Sequence, residues 1–400
     1  MPPKNNSFQA RWRTRILQIA WLVIFFPFAH SSALAQVDSI KKAIETVQAI
    51  PHENTHDKWL WPHRSIVLFI MKEHKNHFDT TYIRSYKKSF VITLPVSTRY
   101  MGFSLIDWET RNRLIFSPNY HYDLAFSISS RWASVLVNTG LVLFDNHKDT
   151  KGKTTYADYQ FNIYGNRLTT DAYYQDYRGF YIKNSQSFAT YTSTAPYQVR
   201  SDVHARLAGV STYYILNNKR FSYRNSFAFN EIQKKSAGSL LLGFYYSLFS
   251  ELGNTPLVTD PFRPEFSKQA FIRDGSVNTF GINVGYIYTL VFLKKCYVTA
   301  SLVPGIGAEV TNYTREDESS YSSPLNLASK INIRLASGYD AGNYFIGTMW
   351  MYDYYFFASQ SNSTFNFNFG KFRVFVGYRF HVDKAERRLL KKMNLIDYKN

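Results

Sequence analysis

Gly370-Lys-Phe-Arg-Val-Phe-Val-Gly-Tyr-Arg-Phe380 decides how the rest of the chain is read. Strand side chains alternate with period two. Phe372, Val374, Val376, Tyr378 and Phe380 therefore share one face, and Arg373, Phe375, Gly377 and Arg379 the other. The first face is wholly apolar and closes on two aromatics. The second is mostly polar or small. A strand with lipid outside and a mixed interior has this pattern. The stretch predicts an all-β fold, an antiparallel transmembrane β-barrel, with these residues in its closing strand.

Working outward, the same alternation recurs. Tyr120, Tyr122, Leu124, Phe126 and Ile128 oppose His121, Asp123, Ala125, Ser127 and Ser129, and Ile331, Ile333 and Leu335 oppose Asn332, Arg334 and Ala336. The longest row is Phe280, Ile282, Val284, Tyr286, Tyr288, Leu290 and Phe292. A soluble sandwich alternates too, but its strands centre on about 5–6 residues, whereas several runs here reach about 10–15. Thirteen stretches between 90 and 380 read as strands, among them 113–130, 221–229 and 237–250. Single-chain bacterial barrels have an even number, so 12 or 14 strands are expected. Short turns such as Gly165-Asn-Arg167 and Asp340-Ala-Gly342 mark one end, and longer loops such as Lys183–Asp202 and Thr311–Pro324 the other. Glu251–Gly275, with Pro256, Pro261 and Pro264, falls on the side that should be short.

Composition agrees with a barrel. Of 400 residues, 31 are Tyr and 33 Phe, and only 19% are charged, too apolar and aromatic for a disordered chain. Mean hydropathy is nevertheless −0.29, and after residue 30 no run approaches the about 18 apolar residues of a membrane helix. The single cysteine, Cys296, excludes an intramolecular disulfide, and barrels close by hydrogen bonds in any case. The net charge is +18, or +14 without the four cations of the leader. No basic helical stripe or nucleic-acid motif accompanies it, so nucleic acid is not expected as a partner, and outer-membrane lipid and lipopolysaccharide are.

The domain reading has four parts. Residues 1–35 form a signal peptide: Arg11, Arg13 and Arg15, then an apolar Ile16–Ala29, then Ala33 and Ala35 at −3 and −1 of a cut before Gln36. Residues 36–88 form a periplasmic N-terminal segment, partly helical over Ser39–Ile50. The barrel spans 89–380, and 381–400 is a basic tail. His52, His56, His63, His74 and His77 crowd the second part, but Pro51 breaks the first pair's helix and no Cys completes a ligand set; no metal or cofactor is expected.

Charged residues within the strands are the candidate site. Asp123, Asp158, Asp171, Arg206, Arg334, Asp353, Arg373 and Arg379 would cost about 2–4 kcal/mol per Arg if they faced lipid near the midplane, so most are expected in the lumen or near the interfaces. There they either line a selective path or pair up and fill a narrow barrel. His121 and His204 lie near hydroxyl residues, but no Gly-x-Ser-x-Gly occurs and no catalytic residue is assigned.

Several phrases, taken in order, resemble a known family: Phe78-Asp-Thr-Thr-Tyr-Ile83, Ser117-Pro-Asn119, Tyr177-Arg-Gly-Phe-Tyr181, Asn217-Asn-Lys-Arg-Phe-Ser-Tyr223, Lys235-Ser-Ala-Gly-Ser239 and Gly377-Tyr-Arg-Phe380. They are similar to an uncharacterised Bacteroidetes family of outer-membrane barrels, a domain of unknown function. The resemblance implies export to the outer membrane of a Gram-negative bacterium. It also implies that Phe372, Val374, Val376, Tyr378 and Phe380 form the signal read by the barrel assembly machinery. It supplies no ligand or catalytic residue. Three functions remain: a channel or uptake barrel for small or hydrophobic solutes, a membrane-embedded enzyme acting on lipid or lipopolysaccharide, and a structural or adhesive barrel acting through its outer loops.

Overall fold

A computed structural model describes residues 78–86, 89–130, 133–144, 148–357 and 363–381. The leader with Ala33, Ala35 and Gln36, the helix expected at Ser39–Ile50, the five clustered histidines and the tail beyond His381 lie outside the described residues.

Among the described residues sixteen strands follow one another: β1 Ile83–Ser85, β2 Ser89–Asp107, β3 Arg113–Ser117, β4 Tyr122–Ser130, β5 Ala133–Phe144, β6 Thr155–Tyr164, β7 Leu168–Ile182, β8 Gln198–Ile215, β9 Glu231–Gln233, β10 Ala237–Leu252, β11 Ile272–Phe292, β12 Cys296–Arg315, β13 Ser320–Ser322, β14 Asn326–Asp340, β15 Tyr344–Phe357 and β16 Ser363–His381. Two short helices join them, α1 Lys148–Lys151 and α2 Tyr223–Phe227.

The wall is antiparallel and closed, and it closes in two ways. At the end away from the chain's barrel termini, ten strands make the ring: β2, β3, β7, β8, β10, β11, β12, β14, β15 and β16, back to β2. Nearer the termini, β4, β5 and β6 take the place of β3, and twelve strands make the ring. The expected 12–14 is thus reached only at that level. The break between β3 and β4 sits at Pro118-Asn119-Tyr120-His121, inside what alternation suggested was one strand, 113–130. Pro118 has no N–H for a ladder, so pairing lapses there. Pro95, by contrast, stays within β2, and the β2–β4 ladder passes from Thr93 to Val96 without a shift.

Of the thirteen expected strands, 221–229 is not one. Its aromatics stand at 221, 223, 227 and 229, a spacing that fits period two but also places Tyr223 and Phe227 four apart on one helix face. Ser222 accepts from the Asn225 N–H and caps α2, which lies buried at the termini end of the barrel. Removing that strand restores the alternation of ends. Glu251–Gly275 therefore belongs with the long loops, which corrects the sequence reading.

The outside is apolar. On β11, Phe280, Ile282 (60% exposed), Val284, Tyr286, Tyr288, Leu290 and Phe292 all point away from the lumen, beside Leu240, Leu242, Phe244, Tyr246 and Leu248 of β10. Each is worth roughly 1.5–3 kcal/mol when removed from water, and so continuous a band matches the lipid-facing belt of a membrane barrel. Among the described residues no helix is long and apolar enough to cross a membrane.

Candidate functional site

The lumen is filled by side chains that meet from opposite walls. Toward the loop end, Phe103 lies 5.6 Å from Phe249, Phe249 stacks on Phe367 at 4.8 Å, and the Tyr173 and Tyr355 hydroxyls approach to 3.0 Å. Above them Leu257, Val258 and Phe262 of the long β10–β11 connection are fully buried. Arg200 holds that connection by donating to the carbonyls of Thr255, Pro256 and Leu257. At the termini end, α2 plugs the opening: Phe229 lies 4.4 Å from the Phe375 ring centroid, and Ser226 Oγ is 2.6 Å from Thr299 Oγ1. β9 carries the plug on to pair with β1.

Between these layers runs a charged network. Lys330 Nζ meets Asp353 Oδ1 at 2.9 Å and Ser211 Oγ at 2.9 Å. Arg334 joins Asp171 Oδ2 at 2.6 Å, Asn332 Oδ1 at 3.1 Å and the Tyr223 hydroxyl at 2.7 Å. Asp158 accepts from Gln175 Nε2 at 2.8 Å, and Arg99 Nη1 lies 3.6 Å from its carboxylate. Asp123 accepts from the Tyr156 hydroxyl and faces His121 Nε2 at 3.3 Å. Arg379, 1% exposed, is bidentate to Asp340 at 2.7 and 2.9 Å and donates to the Phe229 carbonyl at 2.7 Å. Buried charges so paired and hydrogen-bonded avoid most of the cost of desolvation.

Asp123, Asp158, Asp171, Arg334, Asp353, Arg373 and Arg379 thus all turn inward. Arg206 does not. It shares its face of β8 with the exposed Tyr214, its side chain is 53% exposed, and it bonds Asp176 at 3.3 Å beside His204. Ser250 lies across the β8–β10 ladder from it, one outward position beyond Leu248, toward the loop end. Near that rim of the apolar band an Arg is tolerated that the midplane would reject. His204 bonds Asp176 at 2.7 Å, but its other nitrogen faces Arg206 at 3.5 Å rather than a hydroxyl, so the pair makes no nucleophilic triad. Sequence reading missed Arg99, Lys330 and Lys371. Lys371 was findable, since it stands two residues before Arg373 on the same face.

One part of the wall differs from the rest. β5 and β6 pair only at Ala133–Ile163 and Ser134–Asn162, next to their turns. Beyond that point β5 follows β4 instead, with register shifts that leave Thr139, Gly140 and Leu141 outside the ladder. The gap is framed above. Asn119 donates from its N–H to Thr154 Oγ1 at 2.8 Å and from Nδ2 to the Gly152 carbonyl at 2.9 Å, tying the β3–β4 break to the β5–β6 loop. Gly179, at φ +86°, lets β7 change neighbours from β6 to β3, and Thr154 Oγ1 donates to its carbonyl at 2.7 Å. The result is a seam in the wall along which, among the described residues, β5 and β6 share no ladder. Asp158 shows it: its side chain is 0% exposed while the residue as a whole retains surface, so the accessible part is β6 main chain. Arg99 reaches that main chain, donating to the Asp158 carbonyl at 2.9 Å. Lys371 reaches β6 as well, donating to Gln160 Oε1.

Comparison with solved structures finds bacterial barrels. The chain is similar to the Pseudomonas putida toluene transporter TodX (9% identity, 73% of this chain and 90% of that one, TM-score 0.24). It is also similar to an outer-membrane expressed OmpT of Vibrio cholerae (10%, 74% and 100%, 0.26) and to the translocator domain of the autotransporter NalP from Neisseria meningitidis (12%, 88% and 100%, 0.24). No curated protein matches. Residues 77–380, from just before the first described residue to the aromatic end of β16, match the family described as "Domain of unknown function (DUF4421)", and the chain belongs to that family.

Proposed function

We propose that this chain is an outer-membrane barrel that takes up or holds small hydrophobic or amphiphilic molecules, admitting them from the bilayer through the window between β5 and β6 rather than along an axial pore. The largely unpaired β5–β6 seam carries this reading, set between one end where side chains from opposite walls meet and another stopped by the plug. Outer-membrane residence is part of the proposal, supported by the outward apolar belt and by the leader with Ala33-Leu-Ala35 before Gln36. So are a Bacteroidetes source, lipid and lipopolysaccharide as surroundings, and assembly through the β16 signal residues Phe372, Val374, Val376, Tyr378 and Phe380.

The test joins the seam. Continuing the β5–β6 register sets Val135 opposite Phe161. A Val135→Cys, Phe161→Cys pair in a Cys296→Ser background should form a disulfide only if the two strands can be drawn together. In liposomes, uptake of an apolar fluorescent probe should fall on oxidation and return on reduction. Planar bilayers should show no steady conductance before or after. A stable open-pore conductance, or probe uptake indifferent to a disulfide verified by mass spectrometry, would sink the proposal.

A further inference from the structure

Lys371 and Arg373 break the rule the other lumen cations obey. Lys330, Arg334, Arg379, Arg200, Arg224 and Arg99 each have a carboxylate within 2.6–3.6 Å. Lys371 is buried and bonds the neutral Gln160 side chain, and among the described residues no carboxylate lies within ion-pair distance of it. Arg373 forms no ion pair among them either, and its Nε is buried without a partner. Register makes the excess worse. Lys371 stands directly across the β16–β2 ladder from Arg99, with Arg373 two residues further along the same face. The missing acid does not come from β5, because 133–144 contains no Asp or Glu.

Keeping the buried Lys371 charged beside the half-buried Arg373 is costly, by up to several kcal/mol for the buried ion, unless an anion joins them or Lys371 gives up its proton. A lysine beside an arginine suits a carboxylate or a phosphate, the first as a compact charge and the second through parallel N–H donors. The position indicates what carries that anion. Arg99 and Lys371 both reach β6 at the window, through the Asp158 carbonyl and the Gln160 side chain. An anion bound there has the packed lumen above and below and the bilayer beside it.

We infer that Lys371 and Arg373, with Arg99 and Gln160 beside them, bind the anionic head group, carboxylate or phosphate, of a single-chain amphiphile whose tail leaves through the β5–β6 window. The inference rests on the proposed window for its tail and on the cation excess for its head, so the two can be tested apart.

Titration calorimetry on the full-length protein in an uncharged maltoside detergent would use five probes: dodecanoate, dodecyl phosphate, dodecanol, acetate and inorganic phosphate. One or both of the charged amphiphiles should bind, with dodecanol, acetate and inorganic phosphate at least tenfold weaker. Lys371→Met and Arg373→Met should each weaken the charged amphiphile at least tenfold. Lys371→Arg should restore most of the binding, and Arg206→Gln, on the outer face, should leave it unchanged. The heat-dependent gel shift of a folded barrel checks each variant. Dodecanol binding as well as dodecanoate overturns the site while leaving the window reading intact. Inorganic phosphate binding as tightly as dodecyl phosphate overturns the amphiphile. Charged-amphiphile binding that survives oxidation of the Val135→Cys, Phe161→Cys pair yet is lost in Lys371→Met overturns the window and keeps the head-group site.

Discussion

The β10–β11–β12 panel and the β4–β5–β6 panel are built from similar sequence, yet only one is a complete wall. β10 pairs with β11 at every residue from Ala237 to Leu252, and β11 with β12 from Ile272 to Phe292 with one register shift. β5 pairs with β6 at two positions. The full ladder presents an unbroken apolar belt to lipid. The partial one leaves main chain exposed within a membrane wall and brings Arg99 and Lys371 across to β6. Lipid offers the backbone no partners, so an open seam persists only where the protein's own polar groups or a ligand supply them. In the proposed reading the two panels divide the work, one sealing the barrel and the other holding its site.

The comparison can be broken at several points. The largest effect is expected at the paired charges. Arg379→Ala would strand Asp340, remove the bond to the plug at the Phe229 carbonyl, and should destabilise the barrel by about 3–5 kcal/mol. Lys371→Met removes a cation that has no carboxylate and should be neutral or stabilising. Unfolding midpoints in urea with lipid vesicles would show whether the order holds; equal losses would mean that Lys371 is paired after all. Hydrogen exchange should separate the panels next. Amides of β11 should be protected at least about a hundredfold more than those along the β5 side of β6, a gap of about 2.7 kcal/mol. Uniform protection would argue for a closed seam. Gly179→Val follows, because φ is +86° there and a Cβ would stand 2.3 Å from the Lys153 carbonyl oxygen. A cost of about 1–3 kcal/mol is expected, together with faster proteolysis in 148–154, the upper frame of the window.

The smallest effect concerns the long loops. Arg263 donates to Glu316 at 2.6 and 2.8 Å and holds its carboxyl below the ordinary 4.5. A lowered folded-state value means the tie is present above about pH 4.5 and is lost as pH falls through the folded value. Limited proteolysis of the 253–271 and 316–325 loops should quicken in that acid range and stay flat between pH 6 and 8. The pair is half-exposed, so the change should be modest and weaker at high salt.

Most of the wall was legible in the sequence because period two is a local signal. β10, β11, β12, β14, β15 and β16 each carry an outward apolar row that reads directly from the residues. The misread segment, 221–229, has aromatics whose spacing serves a strand or one face of a helix, and its capping by Ser222 was the overlooked cue. Inward direction was legible for Asp158, Arg334 and Arg373, again by parity. Arg206 has the same residue type but the opposite parity to Leu207 and Tyr213, both buried, so parity turns it outward and the charge argument holds only through its place near the rim. The window and the cation excess were not legible. Each is an absence, of a neighbouring strand or of an acid, and an absence appears only once distant segments are brought together.

Arg379 has a consequence for how the barrel is made. It sits near the end of β16, the last strand of the ring in chain order, which pairs with β2, the first. Its donors are satisfied by Asp340 and by the carbonyls of Phe229 and Gly342. If β16 were zipped onto β2 with the plug absent, a guanidinium would be enclosed with part of its bonding unmet. Joining the chain's two edges and seating 221–233 thus become one cooperative event, and a barrel that has closed is one whose termini end is already stoppered.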